Sequence, residues 1–284
     1  MSSAPNILLV HGAWHGAWCW ERQFAPWLRE RGFAVECLDL PGHGVPGPKR
    51  IPWLSVSDYA DAVVAAIERS PGPVVVAGHS MGGFVVQHVM ARRPANLMGA
   101  GLVASAPPRG VVGVVLHLLK ARPVDFLRTV FTFDLYQLVK SRAAAQAMFY
   151  SERLPPAEVD AHWRALQNES YRAFLDMLML DLPQPGRVDP ALPKWVVGGA
   201  LDTIFPPPDI EATARTYGVE GRIYPGMAHN LMLDIGGQQV AARFAVHQLV
   251  VDDLVGALDV RHIGWQQVAE DFAAWISTLR QTPG

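Results

Sequence analysis

The chain has 284 residues, half of them hydrophobic and 18% charged, with a formal net charge of −2. That length holds one large domain, or one domain with a sizeable insertion, and no basic block suited to nucleic acid stands out. Two cysteines, Cys19 and Cys37, are too few for a disulfide framework or a metal cluster, so both read as buried free thiols.

The start, MSSAPNILLV, lacks the basic residues, long apolar run and small-residue cleavage site of a signal peptide. No apolar stretch reaches the ~18 residues of a membrane span. A soluble, cytoplasmic protein is the expectation.

Asn6 to Val10 is a short apolar run ending in His-Gly, which suits a buried parallel strand. Ala17 to Arg31 reads as a helix closed by Gly32, and Phe33 to Leu40 as the next strand, followed by a PGHG turn. Ser55 to Ser70 reads as a helix capped by Ser57 or Ser55. Pro73 to His79 is a strand followed by a helix through Ala91, and Asn96 to Ser105 contains another strand. After Pro107-Pro108, helical patterns follow one another from about Val111 to Asp181, with Pro123 and Pro155-Pro156 as helix starts. Pro193 to Gly199 resumes the strands, then come a helix at Asp209 to Tyr217, a strand at Gly221 to Tyr224 and a terminal helix at Trp265 to Leu279. This alternation predicts an α/β fold, a mostly parallel sheet covered by helices on both faces. The expected division is a core of residues 1–107 and 186–284, with a helical cap at 108–185.

Gly78-His79-Ser80-Met81-Gly82 fits G-x-S-x-G, the nucleophile elbow, between an apolar strand and a helix. Such a turn lifts a serine hydroxyl above the sheet edge, and Gly78 and Gly82 avoid the clash a side chain would cause. An elbow serine needs a carboxylate and then a histidine in chain order. Asp202 follows a late strand, whereas Asp189 precedes it and Asp209 reads as a helix start. His229 lies in the GMAHN loop after the last strand. His247 and His262 are rivals further on, and Asp234 is the next carboxylate to test.

On these motifs the chain resembles the α/β-hydrolase family over nearly its whole length. The HGAWHGAW opening is similar to the HGxxHGxW of plant-type methylesterases and hydroxynitrile lyases, and the long cap to lysophospholipase- or monoglyceride-lipase-like members. The resemblance implies an oxyanion hole formed by the N–H groups of Ala13 and Met81, with Gly12 giving close approach. His11 is then a loop brace, and His15 another near the pocket rim. His79, His43 and Asp39 are structural in this pattern, and Trp14 is packing or faces the pocket.

The implied activity is hydrolysis of a carboxylic ester with an apolar acyl or aryl part, through an acyl-enzyme on Ser80, with no cofactor or metal. The alternatives are a hydroxynitrile lyase-type reaction on the same triad, or a receptor of this fold that binds without turnover. Lyases of that branch carry a threonine at the position matching Gly12, which favours the esterase. Phe131 and Met177 are the cap residues to probe for acyl selectivity. Residues 235–263 interrupt the usual run from the histidine loop to the last helix. Their apolar residues recur at helical spacing, predicting an amphipathic helix that packs on its own domain, covers the site, or forms a homodimer.

Overall fold

The computed structural model describes residues 5–234 and 264–279. The expected helical insert at 235–263, and with it the dimer expectation, lies outside the described residues.

Among the described residues one sheet holds six strands, β1 (Asn6–Val10), β2 (Val35–Leu38), β3 (Val74–His79), β4 (Leu97–Val103), β5 (Lys194–Gly199) and β6 (Gly221–Tyr224). All pair in parallel, in the order β2-β1-β3-β4-β5-β6. The strands alternate sides by one residue, as the pleat requires. Ile7, Leu9, Val75 and Ala77 join a core beneath α2 (Phe24–Glu30) and α11 (Trp265–Leu279), which contribute Phe24, Leu28, Phe272 and Ile276. Leu8, Val10, Val74 and Val76 face α3 (Val56–Arg69), α4 (Met81–Arg92) and α10 (Pro207–Thr216) on the other side. Continuous apolar strands are thus explained by burial on both faces.

Two details differ from the sequence reading. The expected helix over 17–31 is two, α1 (Trp18–Glu21) and α2, with Gln23 at φ −150° between them. Pro26 accounts for the break: in one continuous helix its ring would strike the Arg22 carbonyl, and no N–H could bond it. Cys19 is buried, but Cys37 is only half-buried because β2 is the sheet's edge. The cap on α3 is Ser55, in a reciprocal capping box with Asp58.

Between β4 and β5 the described chain is helical: α5 (Val112–Ala121), α6 (Pro123–Thr132), α7 (Arg142–Phe149), α8 (Pro156–Ala165) and α9 (Tyr171–Leu175). Proline stands at the first helical position of α6 and of α8, where its missing N–H costs nothing. No described helix is long and apolar enough to cross a membrane.

Candidate active site

The chain runs from β1 outward to β2 at the edge, then returns to β3 on β1's other side. Such a reversal opens a crevice at the strands' carboxyl ends. The register pairs Val10 with Gly78, so the loop after β1 and the turn after β3 emerge side by side. A β-carbon on Gly12 would lie 2.8 Å from Ser80 Cβ, so these two loops are in direct contact.

Ser80 is half-buried, with φ 55° and ψ −117°, a conformation that side chains rarely adopt. Its backbone is held on both sides: its N–H donates to Val103 O at 3.0 Å, and its carbonyl accepts from Phe84 and Ala106. The flanking glycines are required by backbone approach. A β-carbon on Gly78 would meet Gly82 O at 2.2 Å, and one on Gly82 would meet His11 O at 2.3 Å. Among the described residues neither Ala13 N–H nor Met81 N–H has an acceptor; Met81 opens α4, where helical N–H groups are unpaired.

His229 and Asp202 are 1% and 3% exposed, and His229 Nδ1 lies 2.8 Å from Asp202 Oδ2. The other carboxylate oxygen accepts from Ile204 and Phe205 N–H at 2.8 and 2.9 Å. With Nδ1–H donated to a carboxylate, Nε2 carries the free lone pair. Phe205 and Phe149 flank the imidazole, with centroids 5.6 and 6.1 Å away.

His79, His11 and His15 are braces, and their partners fix their tautomers. His79 Nε2–H donates to His229 O at 3.0 Å, so the residue before the serine supports the backbone of the other histidine. His11 accepts from Leu40 N–H through Nε2 and donates through Nδ1 to Gly12 O. His15 donates through Nδ1 to Ala13 O at 2.7 Å and accepts through Nε2 from Asn230 Nδ2 at 3.0 Å. It ties the loop after β1 to the loop after β6. It is fully buried rather than near a pocket rim, a correction to the sequence reading. Burial holds its pKa down at about 3, with His229 and other imidazoles adding to the effect against the Ala13 carbonyl. Burial likewise lowers His11 and His79 well below the ordinary value, so all three are neutral.

His43 is the opposite case. Burial lowers its pKa, but attraction and a 3.0 Å hydrogen bond to Glu169, together with the Pro41 and Leu40 carbonyls, outweigh burial and raise it. Glu169 also accepts from Tyr59 Oη at 2.8 Å. Asp39 accepts from Ala17 N–H at the start of α1, a supporting role. Asp209 pairs with Arg109, and Asp234 accepts from Ala228 N–H and from Ser151 N–H and Oγ. Asp234 is thereby a buried strut for the histidine loop and not a partner of the imidazole.

Sequence reasoning missed the run Gln167-Asn168-Glu169-Ser170. All four are buried and polar, and they bind the helical segment to the loops after β1 and β2. Gln167 donates from its backbone to Trp14 O and from its amide to His15 O, while its side-chain oxygen accepts from Gly44 N–H. Asn168 donates to Pro48 O and Ser170 to Leu54 O. The available signal was four successive polar residues inside an apolar helical stretch. Trp14 has φ 63°, and its indole N–H donates to Leu135 O, so it too clasps the helical segment.

A cleft of about 490 Å³ lies between α5, α7 and the loop after β5, lined by Val114, His117, Leu118, Met148, Thr203 and Ile204 among others. Thr203 and Ile204 directly follow Asp202. The proposed probes fall elsewhere: Phe131 is 79% exposed on the outer surface, and Met177 is buried in the core on the α4 side. Helical spacing alone could not tell which face of each helix turns inward.

A family model described as "Alpha/beta hydrolase family" matches residues 7–243. Esterase PIR7B of Oryza sativa subsp. japonica is 36% identical over 111 residues, 38% of this chain and 41% of the rice protein. Methyl jasmonate esterase 1 of Vitis vinifera is 32% identical over 134 residues, 45% of this chain and 51% of the grape protein. The chain therefore spans about half the length, or less, of these curated relatives. A thermophilic esterase from Thermogutta terrifontis, solved with malate bound, aligns with a TM-score of 0.67 at 19% identity, over 98% of this chain and 92% of that one. That likeness is one of fold. With the family match covering most of its length, the chain belongs to the α/β-hydrolase family.

Proposed function

We propose that this protein is a serine hydrolase of carboxylic esters, acting through Ser80, His229 and Asp202. Ser80 Oγ attacks the ester carbonyl while His229 Nε2 takes its proton. The imidazolium then protonates the departing alcohol, and Asp202 holds the ring's tautomer and offsets its charge. The Ala13 and Met81 N–H groups receive the oxyanion, each such donor contributing ~3 kcal/mol to the transition state. Water entering along the same path, deprotonated by His229, releases the acyl group and restores Ser80.

The observation that carries this reading is the buried 2.8 Å pair of His229 Nδ1 and Asp202 Oδ2, which leaves Nε2 as a base. The names of the rice and grape relatives are consistent with ester chemistry. Gly12 supports it against a lyase-type site, because a threonine β-carbon there would sit 2.8 Å from Ser80 Cβ. We assign residues 108–185 as a cap over this edge of the sheet, and the cleft beside Asp202 as the seat of the ester's apolar part. The test is labelling by a fluorophosphonate, located by peptide mass spectrometry, with turnover of a p-nitrophenyl ester. Ser80 should carry the label, and Ser80→Ala should lose both label and several orders of magnitude of turnover. A label on another serine, or an active Ser80→Ala, overturns the assignment.

A further inference from the structure

The α5–α6 hairpin turns its apolar stripe outward. Val112, Leu116 and Leu119 on α5, and Val124, Leu127 and Phe131 on α6, recur at helical spacing and all are exposed. Leu116 and Val124 are each 60% exposed and Phe131 79%, whereas the inward face buries Leu118 and Thr129. The stripe continues past α6. Phe133, at φ 50°, lies 6.1 Å from the ring of Trp53, which is 62% exposed and belongs to the connection before α3. Both rings pack against Tyr171. Isolated apolar side chains on a surface need no explanation, but a continuous set of this extent marks an interaction face.

Its charge points to the partner. Residues 109–140 contain Arg109, Lys120, Arg122, Arg128 and Lys140 against Asp125 and Asp134, a balance of +3 in a chain whose net charge is −2. Even with Arg109 offset by Asp209, a positive excess remains. Asp125 is taken up by Arg122 and Arg128, and Asp134 accepts from Tyr136 N–H and from the Gln137 and Asn168 amides. Exposed Lys120 has no carboxylate partner among the described residues. Arg50, also exposed, donates to Thr132 O and so adds a cation beside the aromatic end of the stripe.

We propose that the α5–α6 hairpin, with Trp53, seats this protein on an anionic lipid surface. Apolar side chains on one face of paired helices, flanked by cations and ending in an indole, are what the boundary between headgroups and acyl chains accepts. α5 is shared with the cleft, since Val114 and Leu118 line it from the helix's inner side. Lipid seating needs no chemistry at Ser80, so it stands or falls separately from the ester-hydrolysis reading.

The test is flotation of the full chain with vesicles of phosphatidylcholine alone, and of phosphatidylcholine mixed with phosphatidylglycerol, at low and high salt. The comparison variants are Leu116→Ser/Leu127→Ser/Phe131→Ser and Lys120→Glu/Arg128→Glu, with p-nitrophenyl acetate turnover and circular dichroism as fold controls. The wild type should float with the anionic vesicles, less so at high salt. The apolar triple variant should lose roughly tenfold or more of its partitioning, as removal of three large apolar contacts implies. The charge variant should lose its preference for phosphatidylglycerol, with turnover of the soluble ester unchanged in both. Absence of wild-type flotation at low salt, or equal flotation of the triple variant, overturns the proposal. So does light scattering that shows a wild-type dimer, made monomeric by the triple variant, without vesicle binding; the face would then join two copies of the chain.

Discussion

Replacing Asp202 with asparagine keeps the side chain's shape and removes its charge, and the hydrogen bonds around it determine the result. One carboxylate oxygen accepts from Ile204 and Phe205 N–H, and the other from His229 Nδ1–H. An amide has one acceptor oxygen and one donor nitrogen, and the two backbone donors claim the oxygen. The NH₂ group must then face His229 Nδ1, which can pair with it only as an acceptor. That forces the ring proton onto Nε2, where the proposed mechanism needs a lone pair to take the serine proton. The imidazolium also loses its counter-charge. The same change in a serine-protease triad costs on the order of 10⁴ in kcat, which is ~5.5 kcal/mol of activation free energy. Because the amide retains both backbone bonds, the melting temperature should change little. Steady-state kinetics on a p-nitrophenyl ester, beside a thermal melt, would show a collapse in kcat with KM nearly constant. A folded Asp202→Asn enzyme within about tenfold of wild type would refute the reasoning, since His229 would not be acting through Nε2.

Asp234→Ala should do the reverse, because Asp234 holds Ala228 and Ser151 rather than the imidazole. Leaving those three donors without an acceptor should cost ~2–4 kcal/mol of stability, and roughly 5–10 °C in a thermal melt, with kcat of the folded enzyme within about tenfold; a stable but inactive variant would reassign the acid. Stability should also fall as the medium is acidified. His11, His15 and His79 have folded pKa values below their unfolded ones, so the unfolded chain takes up protons that the folded chain refuses. The loss begins near the ordinary histidine value of 6.5, accrues at up to ~1.4 kcal/mol per pH unit per histidine, and for His15 continues to about pH 3. His43, with its raised pKa, works in the other direction: its contribution is fully present below the unfolded value and is lost as pH rises through the folded one. Urea unfolding at pH 7.5 and pH 5 would check this, and equal stabilities would contradict three neutral buried imidazoles. Ala147→Phe fills the cleft from an exposed position. It should lower kcat/KM for long-chain esters by roughly tenfold relative to acetate; an unchanged chain-length profile would remove the apolar part of the substrate from that cleft.

Much of the fold was legible along the chain because its signals are local. Apolar runs of strand length, alternating with helical patterns, mark a parallel sheet buried on both faces, and the strands of 6–10, 74–79, 194–199 and 221–224 sit where those runs are. The G-x-S-x-G stretch is equally local, since Gly78 and Gly82 are dictated by backbone contacts within one turn and its neighbouring loop. What each polar residue does depends on contacts far apart in sequence, and those only the tertiary structure decided. Two His-Gly-Ala-Trp units look alike, yet His11 braces its own loop against Leu40 while His15 reaches Asn230, because each ring meets different partners once buried. Asp202 and Asp234 are both carboxylates near His229 in sequence, and only packing aims one at the imidazole and the other at Ser151. The run 167–170 falls within the stretch read as helical from 111 to 181, and only the fold encloses it between the loops after β1 and β2. The stripes on α5 and α6 have the spacing of core helices but face outward, because periodicity defines an apolar face without saying what that face meets.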